Sequence, residues 1–209
     1  MYVPRSFAME DRARIAELVH SYPLATLVTL IDGVMEATHV PVVFDADRGA
    51  NGAVRFHLAG MNPAARSLDG AREAMLVFTG AHAYVSPDWY ANENLVPTWN
   101  YAAVHVWGKP VPMEDGPLCR LLDDLSASQE SRIPGKRPWT SDKLPAELYG
   151  KMRGAIVGFD MPVERLDAKW KMSQNRARED RAKAMTELTA LGGEHQRAVA
   201  SIMSSLETD

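Results

Sequence analysis

The sequence of 209 residues has little cysteine: Cys119 is the only one, so an internal disulfide and a metal site with several cysteine ligands are both excluded. This fits a reducing compartment, and we predict a cytoplasmic protein. Long apolar runs are also missing, and segment 1–30 carries several charged side chains. We therefore expect no signal peptide and no membrane-spanning segment.

An excess of positive charge is missing as well. The chain has 23 Lys and Arg against 27 Asp and Glu, a formal charge of −4, so no global positive field attracts nucleic acid or an anionic membrane. Segment 165–183 is a local exception, with seven basic and three acidic residues, a net charge of +4. It is the candidate for DNA contact by a repressor, although no convincing helix-turn-helix accompanies it and a solvated helix face has the same composition.

The common catalytic motifs are absent too. No G-x-G-x-x-G follows a predicted strand, and no P-loop, G-x-S-x-G or H-E-x-x-H pattern occurs. The six histidines form no close pair on a helical face, which leaves zinc a weak hypothesis. The sequence therefore does not indicate a Rossmann dehydrogenase, a P-loop NTPase, an α/β-hydrolase or a metalloprotease.

Short strands with helices at the periphery are what the chain does contain. Hydrophobic periodicity predicts strands at 24–30, 34–44, 53–58, 74–79, 82–85, 98–109 and 156–170, and helices at 9–20, 62–69, 116–125, 145–153, 177–191 and 194–206. Asp32-Gly33 predicts a hairpin turn, Pro41 an edge strand or a bulge, and Asn62-Pro63 a helix cap. We predict a single α+β domain over 1–209, built on an antiparallel barrel with a C-terminal helical segment.

Aromatic residues cluster in the middle of the chain. Six of the eleven Trp and Tyr residues lie in 84–107, with two histidines beside them. Amphipathic rings at this density fit a barrel core, an interface or a ligand site.

Three polar segments interrupt their apolar surroundings. His39 lies within a predicted strand, and a histidine satisfied in the interior is the alternative to a ligand role. His57 and Asn62 flank a predicted strand-to-helix corner, which is a candidate phosphate seat or a simple helix cap. Segment 171–176 is rich in hydrogen-bond donors and is either a binding element or a solvated helix lead-in.

Taken together, these blocks resemble the PaiB family. The chain carries, in matching order, Met1-Tyr-Val-Pro4 with Phe7, Thr38-His-Val-Pro41, His57-Leu-Ala-Gly-Met-Asn-Pro63, Ala83-Tyr-Val-Ser-Pro-Asp-Trp-Tyr90, Val96-Pro-Thr-Trp-Asn-Tyr101 and Lys171-Met-Ser-Gln-Asn-Arg176. The resemblance implies an FMN-binding split β-barrel related to pyridoxamine-phosphate oxidases. It also implies a homodimer with flavin at the subunit interface, and the family label of negative transcriptional regulator.

The resemblance further implies which residues meet the cofactor. His57, Leu58, Asn62 and Pro63 correspond to the corner that holds the FMN phosphate and ribityl chain. Thr38, His39 and Val40 match the strand beside the isoalloxazine. Asn100, Tyr101, Ser173, Gln174 and Asn175 are candidates for contacts with the ring edge, supplied by the partner subunit. The oxidases place Arg and Lys on the phosphate, whereas this corner offers His57 and Asn62, with Arg66 a turn later.

The leading hypothesis is a flavin-binding homodimer that acts as a redox-responsive regulator or as a reductase of unknown substrate. A directly DNA-binding repressor is one alternative. A haem-binding barrel is another, with an axial ligand among His39, His57, His82, His105 and His195. The absorption spectrum of the purified protein separates flavin, haem and an empty barrel.

Overall fold

A computed structural model describes residues 1–90 and 95–206. Its helices are α1 (Arg12–Ser21), α2 (Pro63–Ser67), α3 (Asp115–Glu130), α4 (Ala146–Arg153), α5 (Arg178–Leu191) and α6 (Glu194–Ser205). Its strands are β1 (Leu24–Ile31), β2 (Val34–Asp45), β3 (Ala53–Ala59), β4 (Ala74–Val85), β5 (Thr98–Gly108), β6 (Val111–Pro112), β7 (Ile156–Pro162) and β8 (Arg165–Lys171). Each predicted helix has a counterpart, although α3 continues beyond its predicted end at Leu125 through residues with no apolar periodicity.

The strands form one sheet in the order β6-β7-β3-β2-β1-β4-β5-β8. The pairings of β1 with β2 and β4, of β2 with β3, and of β7 with β3 and β6 are antiparallel. This confirms the predicted α+β class with an antiparallel sheet.

The β1–β2 hairpin forms as predicted, with φ of 52° at Asp32 and 83° at Gly33 in the turn. The edge position predicted at Pro41 is wrong, because β2 lies between β1 and β3. However, β1 pairs with β2 only up to Pro41, and β3 pairs with it only from Val42 onwards. Proline, which lacks an N–H, therefore falls where the strand changes partner.

The chain divides into two compact units made of separate segments. The larger unit comprises 22–78 and 106–166, and the smaller unit comprises 1–21, 79–105 and 167–209. In the larger unit, the fully buried rings of Phe56 and Phe159 stack with centroids 5.4 Å apart. Helix α3 adds the buried Leu118 and Leu121, and Cys119 on the same helix is half-buried.

Two strand boundaries differ from the predictions. Segments 74–79 and 82–85 form one continuous strand, β4, through Gly80. A Cβ at Gly80 would lie 2.9 Å from Cδ1 of Leu18, so the glycine admits close packing of α1 rather than ending the strand. Conversely, the single strand predicted at 156–170 is two strands, β7 and β8, which are not neighbours in the sheet.

In the smaller unit, α5 and α6 pack against each other and bury Leu188 and Val199. Gly192, with φ of 71°, ends α5 in the left-handed conformation that favours glycine. Among the described residues, no helix is both long and apolar enough to cross a membrane.

Candidate functional site

The residues that the family resemblance assigns to flavin binding fall in both units. The larger unit contains Thr38, His39, Val40, His57, Leu58, Asn62 and Pro63. The smaller unit contains Asn100, Tyr101, Ser173, Gln174 and Asn175. The two groups differ in how their polar atoms are satisfied.

His39 lies on the outward face of β2, and its side chain is exposed. Its Nδ1 is 3.2 Å from the hydroxyl of Thr26, the residue opposite it on β1. The flanking residues alternate toward the other face, where Thr38 is half-buried and Val40 is fully buried. The alternative of a satisfied interior histidine is therefore wrong: the imidazole is held by one hydrogen bond and is accessible.

The corner between β3 and α2 is built by backbone contacts and a side-chain cap. The N–H of Gly60 donates to the carbonyl of Ala155 at 2.8 Å. Oδ1 of Asn62 accepts from the N–H of Ala64 at 2.9 Å, and Pro63 occupies the first helical turn, which confirms the predicted cap. The side-chain oxygen of Asn62 is therefore committed to the cap.

His57 has a buried nitrogen with no protein partner. On β3 it lies opposite Gly158, and its Nδ1 has no hydrogen-bond partner among the described residues. Burial lowers the pKa of His57 below its ordinary value of 6.5, so the ring is neutral at pH 7. Buried polar atoms in folded proteins are normally hydrogen-bonded, so this nitrogen is available for a hydrogen bond to a bound molecule.

A cavity of about 310 Å³ opens beside the same corner. It is lined by Ile31, Asp32, Pro63, Arg66, Ser67 and Arg72. Ser67 is buried, and its hydroxyl donates to the carbonyl of Ala64 at 3.0 Å. The lining thus combines two guanidinium groups, one hydroxyl and one carboxylate.

The sequence indicated Arg66 only as a residue one turn after the corner, and it missed Arg72 and Asp32. Arg72 follows a tight turn in which Asp69 accepts from the backbone N–H groups of Ala71 and Arg72. These hydrogen bonds lower the pKa of Asp69, which remains ionised. A carboxylate-capped turn directly before an arginine was the signal that could have identified Arg72.

The cavity fits the phosphate end of a mononucleotide. Two arginines supply planar forks of N–H donors, which suit phosphate oxygens. The volume is at the lower end of the roughly 300–1,000 Å³ of small-molecule sites. Asp32 adds a negative charge, so the arginines must outweigh its repulsion.

In the smaller unit, the predicted Asn100 and Ser173 bind each other. Asn100 is fully buried, its Oδ1 accepts from the Ser173 hydroxyl at 3.0 Å, and its Nδ2 lies 3.4 Å from the sulfur of Met203. Ser173 has a φ of 61°, which is strained for a residue with a side chain. These two side chains therefore complete one another inside the unit.

Gln174 also turns inward. Its Oε1 accepts from the N–H of Met172 at 2.7 Å, and its Nε2 donates to the carbonyl of Trp170 at 2.6 Å. Tyr101, in contrast, is half-buried, and Asn175 is exposed. Of the five predicted residues in this unit, Asn100 and Ser173 are buried, whereas Tyr101, Gln174 and Asn175 are at least partly exposed. The contact of these five residues with a flavin stays a prediction.

Aromatic rings of the smaller unit form a cluster. The rings of His82 and His195 have centroids 4.2 Å apart, and His82 lies 6.1 Å from Trp99. Tyr84 meets Trp99 edge-on at 6.2 Å and 72°. In residues 1–90 and 95–206, no group of three or more His, Cys, Asp or Glu side chains is placed to hold a metal ion.

Comparison with known proteins shows the family of this chain. Residues 1–165 match the family described as "Putative FMN-binding domain". The chain is 32% identical over 203 residues to the Bacillus subtilis protease synthase and sporulation protein PAI 2, covering 97% of this chain and 96% of that protein. It is 28% identical to an uncharacterised protein of Emericella nidulans, with the same two coverages.

Solved structures establish the fold. The FAD and haem binding protein of Mycobacterium smegmatis superposes with a TM-score of 0.56 at 19% identity, covering 88% of this chain and 80% of that one. The flavocytochrome Anf3 of Azotobacter vinelandii superposes with a TM-score of 0.58 at 17% identity, covering 81% of this chain and 72% of that one. The split-barrel fold is thus confirmed. The domain match and the relation to PAI 2 show that this chain belongs to the PaiB family of FMN-binding domain proteins.

Proposed function

We propose that the protein binds FMN in the larger unit, with the phosphate in the cavity lined by Arg66 and Arg72. The cavity is the observation that carries this proposal, because it places two guanidinium groups beside the predicted corner. Neither arginine forms an ion pair within the described residues. A phosphate dianion would add negative charge to that of Asp32 in the lining and accept the guanidinium N–H groups.

The remaining residues of the unit would orient the cofactor. Neutral His57 offers the unpartnered Nδ1 for a hydrogen bond to a polar group of the bound molecule. His39 presents an accessible imidazole held by Thr26. When bound, FMN supplies hydride or one-electron chemistry, and the protein contributes position and electrostatics.

A homodimer with flavin at the interface is part of the proposal. The distal half of the β1–β2 hairpin exposes apolar side chains, with Leu30 at 58%, Val34 at 59% and Met35 at 77%. Leu30 and Met35 are register partners and lie side by side on one face of the hairpin, whereas Val34 lies on the other face. An exposed apolar patch such as that of Leu30 and Met35 is typical of an interaction site. We infer that a second copy covers it. Light scattering should give twice the 23.1 kDa mass of one chain for the native protein, and a monomer for Met35→Glu.

A matched control is Met152→Glu on α4. Met152 is 57% exposed in the same unit but lies outside the hairpin. This variant should remain dimeric. A native monomer, or equal dissociation by both variants, would reject the proposed interface.

We further propose a regulatory role in the cytoplasm. The relative PAI 2 is named for protease synthesis and sporulation, and the single Cys119 fits a reducing compartment. A flavin whose redox state changes would give such a regulator its input. A flavin-dependent reductase uses the same cofactor site, and turnover of an added electron donor by the FMN-loaded protein distinguishes it from a regulator.

The test of FMN binding uses the native chain. Flavin released from the purified protein on denaturation is identified by chromatography, and the flavin-free protein is titrated with FMN by loss of flavin fluorescence. We expect FMN as the released species and saturation at one FMN per chain. Colourless protein that also fails to bind added FMN would reject the proposal.

A further inference from the structure

Three cations lie along β8 and the loop that follows it. Lys169 and Lys171 are half-buried and alternate with the buried Ala168 and Trp170, so both lysines face outward. Arg176 is brought back toward the strand by a turn in which its N–H donates to the carbonyl of Ser173 at 2.9 Å.

The two lysines have neutral partners. The ammonium of Lys169 lies 5.3 Å from the ring centroid of Tyr101 and donates to the carbonyl of Tyr2 at 3.3 Å. The ammonium of Lys171 donates to the hydroxyl of Thr98. Neither lysine forms an ion pair with a described residue.

Arg176 is similar. Its guanidinium lies 5.9 Å from the ring centroid of Tyr90, a residue that is 7% exposed and whose hydroxyl has no hydrogen-bond partner in the described part of the chain. Arg176 likewise has no carboxylate partner there. A buried hydroxyl beside a cation favours an acceptor such as an anionic oxygen.

Nearby carboxylates already have partners. Asp167, on the same face of β8, binds the amino group of Met1 at 2.6 Å. Glu179 in α5 lies 3.5 Å from the ammonium of Lys183. These two carboxylates therefore have ion-pair partners other than Lys169, Lys171 and Arg176.

This arrangement is electrostatically unfavourable without an anion. Burial lowers the pKa of Lys171, the positive charges of Lys169 and Arg176 lower it further, and Tyr101 acts in the opposite direction. A protein cluster of mutually repelling, partly desolvated cations is stabilised by a bound anion.

A flat aromatic surface adjoins the cations. Trp99 is 53% exposed and is fixed by the edge-on contact with Tyr84. It neighbours Thr98, the partner of Lys171, and shares the outward face of β5 with Tyr101. An exposed indole held in this way is suited to stacking on a planar ring.

We propose that Lys169, Lys171 and Arg176 bind the phosphate of a small aromatic phosphate ester, whose ring stacks on Trp99. The site shares no residue with the arginine cavity of the larger unit and does not rest on FMN binding there. A small ligand is favoured over DNA because three cations match one phosphate, whereas the chain as a whole carries a charge of −4.

Calorimetric titration with AMP and with adenosine tests the proposal on the full-length protein. We expect AMP to bind at least tenfold more tightly than adenosine. Lys171→Gln and Lys169→Gln should each weaken AMP binding about tenfold or more and leave the affinity for adenosine unchanged. Trp99→Ala should weaken both ligands by a similar factor, because it removes the stacking surface.

Two control variants separate this site from its surroundings. Lys183→Gln removes an exposed lysine of α5 and should not change AMP binding, and Lys151→Gln, at an exposed lysine of α4 in the larger unit, should not change it either. No AMP binding at millimolar concentration, or equal affinity for AMP and adenosine, would overturn the proposal. The proposal would also be overturned if Lys171→Gln lost FMN binding but kept AMP binding. It would be overturned as well if the protein bound a single-stranded oligonucleotide in a salt-sensitive way but did not bind AMP.

Discussion

The predicted polar residues of the two units are used in opposite ways. In the smaller unit, Asn100, Ser173 and Gln174 find their hydrogen-bond partners inside the protein. In the larger unit, a nitrogen of His57 has none in the described residues, and Arg66 lines an open cavity. Satisfied polar groups stabilise a fold, whereas unsatisfied ones indicate a ligand. We therefore infer a structural role for Asn100, Ser173 and Gln174 and a binding role for His57 and Arg66.

The largest expected effect is the loss of the buried amide. Asn100→Ala leaves the Ser173 hydroxyl without its acceptor and opens a cavity, and we expect the free energy of unfolding to fall by about 2–4 kcal/mol. Urea denaturation measures it. The exposed Asn175→Ala is the matched control and should stay within about 0.5 kcal/mol of the native protein. Equal small effects would show that Asn100 is not structural.

A smaller effect separates hydrogen bonding from backbone strain at Ser173. Ser173→Ala removes the hydroxyl but keeps a side chain at a φ of 61°, and should cost about 1–2 kcal/mol. Ser173→Gly removes the same hydroxyl and relieves the strain, so it should cost less than the alanine variant. The free energies of unfolding of the two variants are measured under the same conditions. A larger loss of stability in Ser173→Gly than in Ser173→Ala would contradict the proposed backbone strain.

The smallest effect concerns pH. The pKa of His57 is lower in the folded protein than in the unfolded chain, so the unfolded chain takes up the proton first as the pH falls below 6.5. Stability should therefore decrease on acidification, with a slope from this one group of at most about 1.4 kcal/mol per pH unit. His57→Gln should flatten the profile between pH 7 and 5. An unchanged slope would show that His57 is not held neutral by burial.

Much of the fold could be predicted from local sequence. The β1–β2 hairpin follows from Asp32-Gly33, and the α2 cap follows from Asn62-Pro63, because each signal acts over a few residues. The continuity of β4 could not be predicted, since Gly80 ends a strand in isolation but here accommodates Leu18 from α1. Long-range packing decided between the two outcomes.

The site was predictable to a lesser extent. The corner at His57 and Asn62 was found from its pattern and the family resemblance. The cavity was not, because it joins Asp32 of the hairpin turn to Arg66 and Arg72, which only the fold brings together. Likewise, the bond between Ser173 and Asn100 spans 73 positions and has no local signal.

The affinity difference between FMN and riboflavin tests the central claim most directly, because the two ligands differ by the phosphate that the arginine cavity is proposed to hold. Arg66→Ala and Arg72→Ala should each weaken FMN binding by roughly 10–100-fold, the value of a charge-assisted hydrogen bond, and leave riboflavin binding unchanged. Arg120→Ala, at an exposed arginine of α3, should change neither affinity. Native protein that binds both flavins equally would contradict the account.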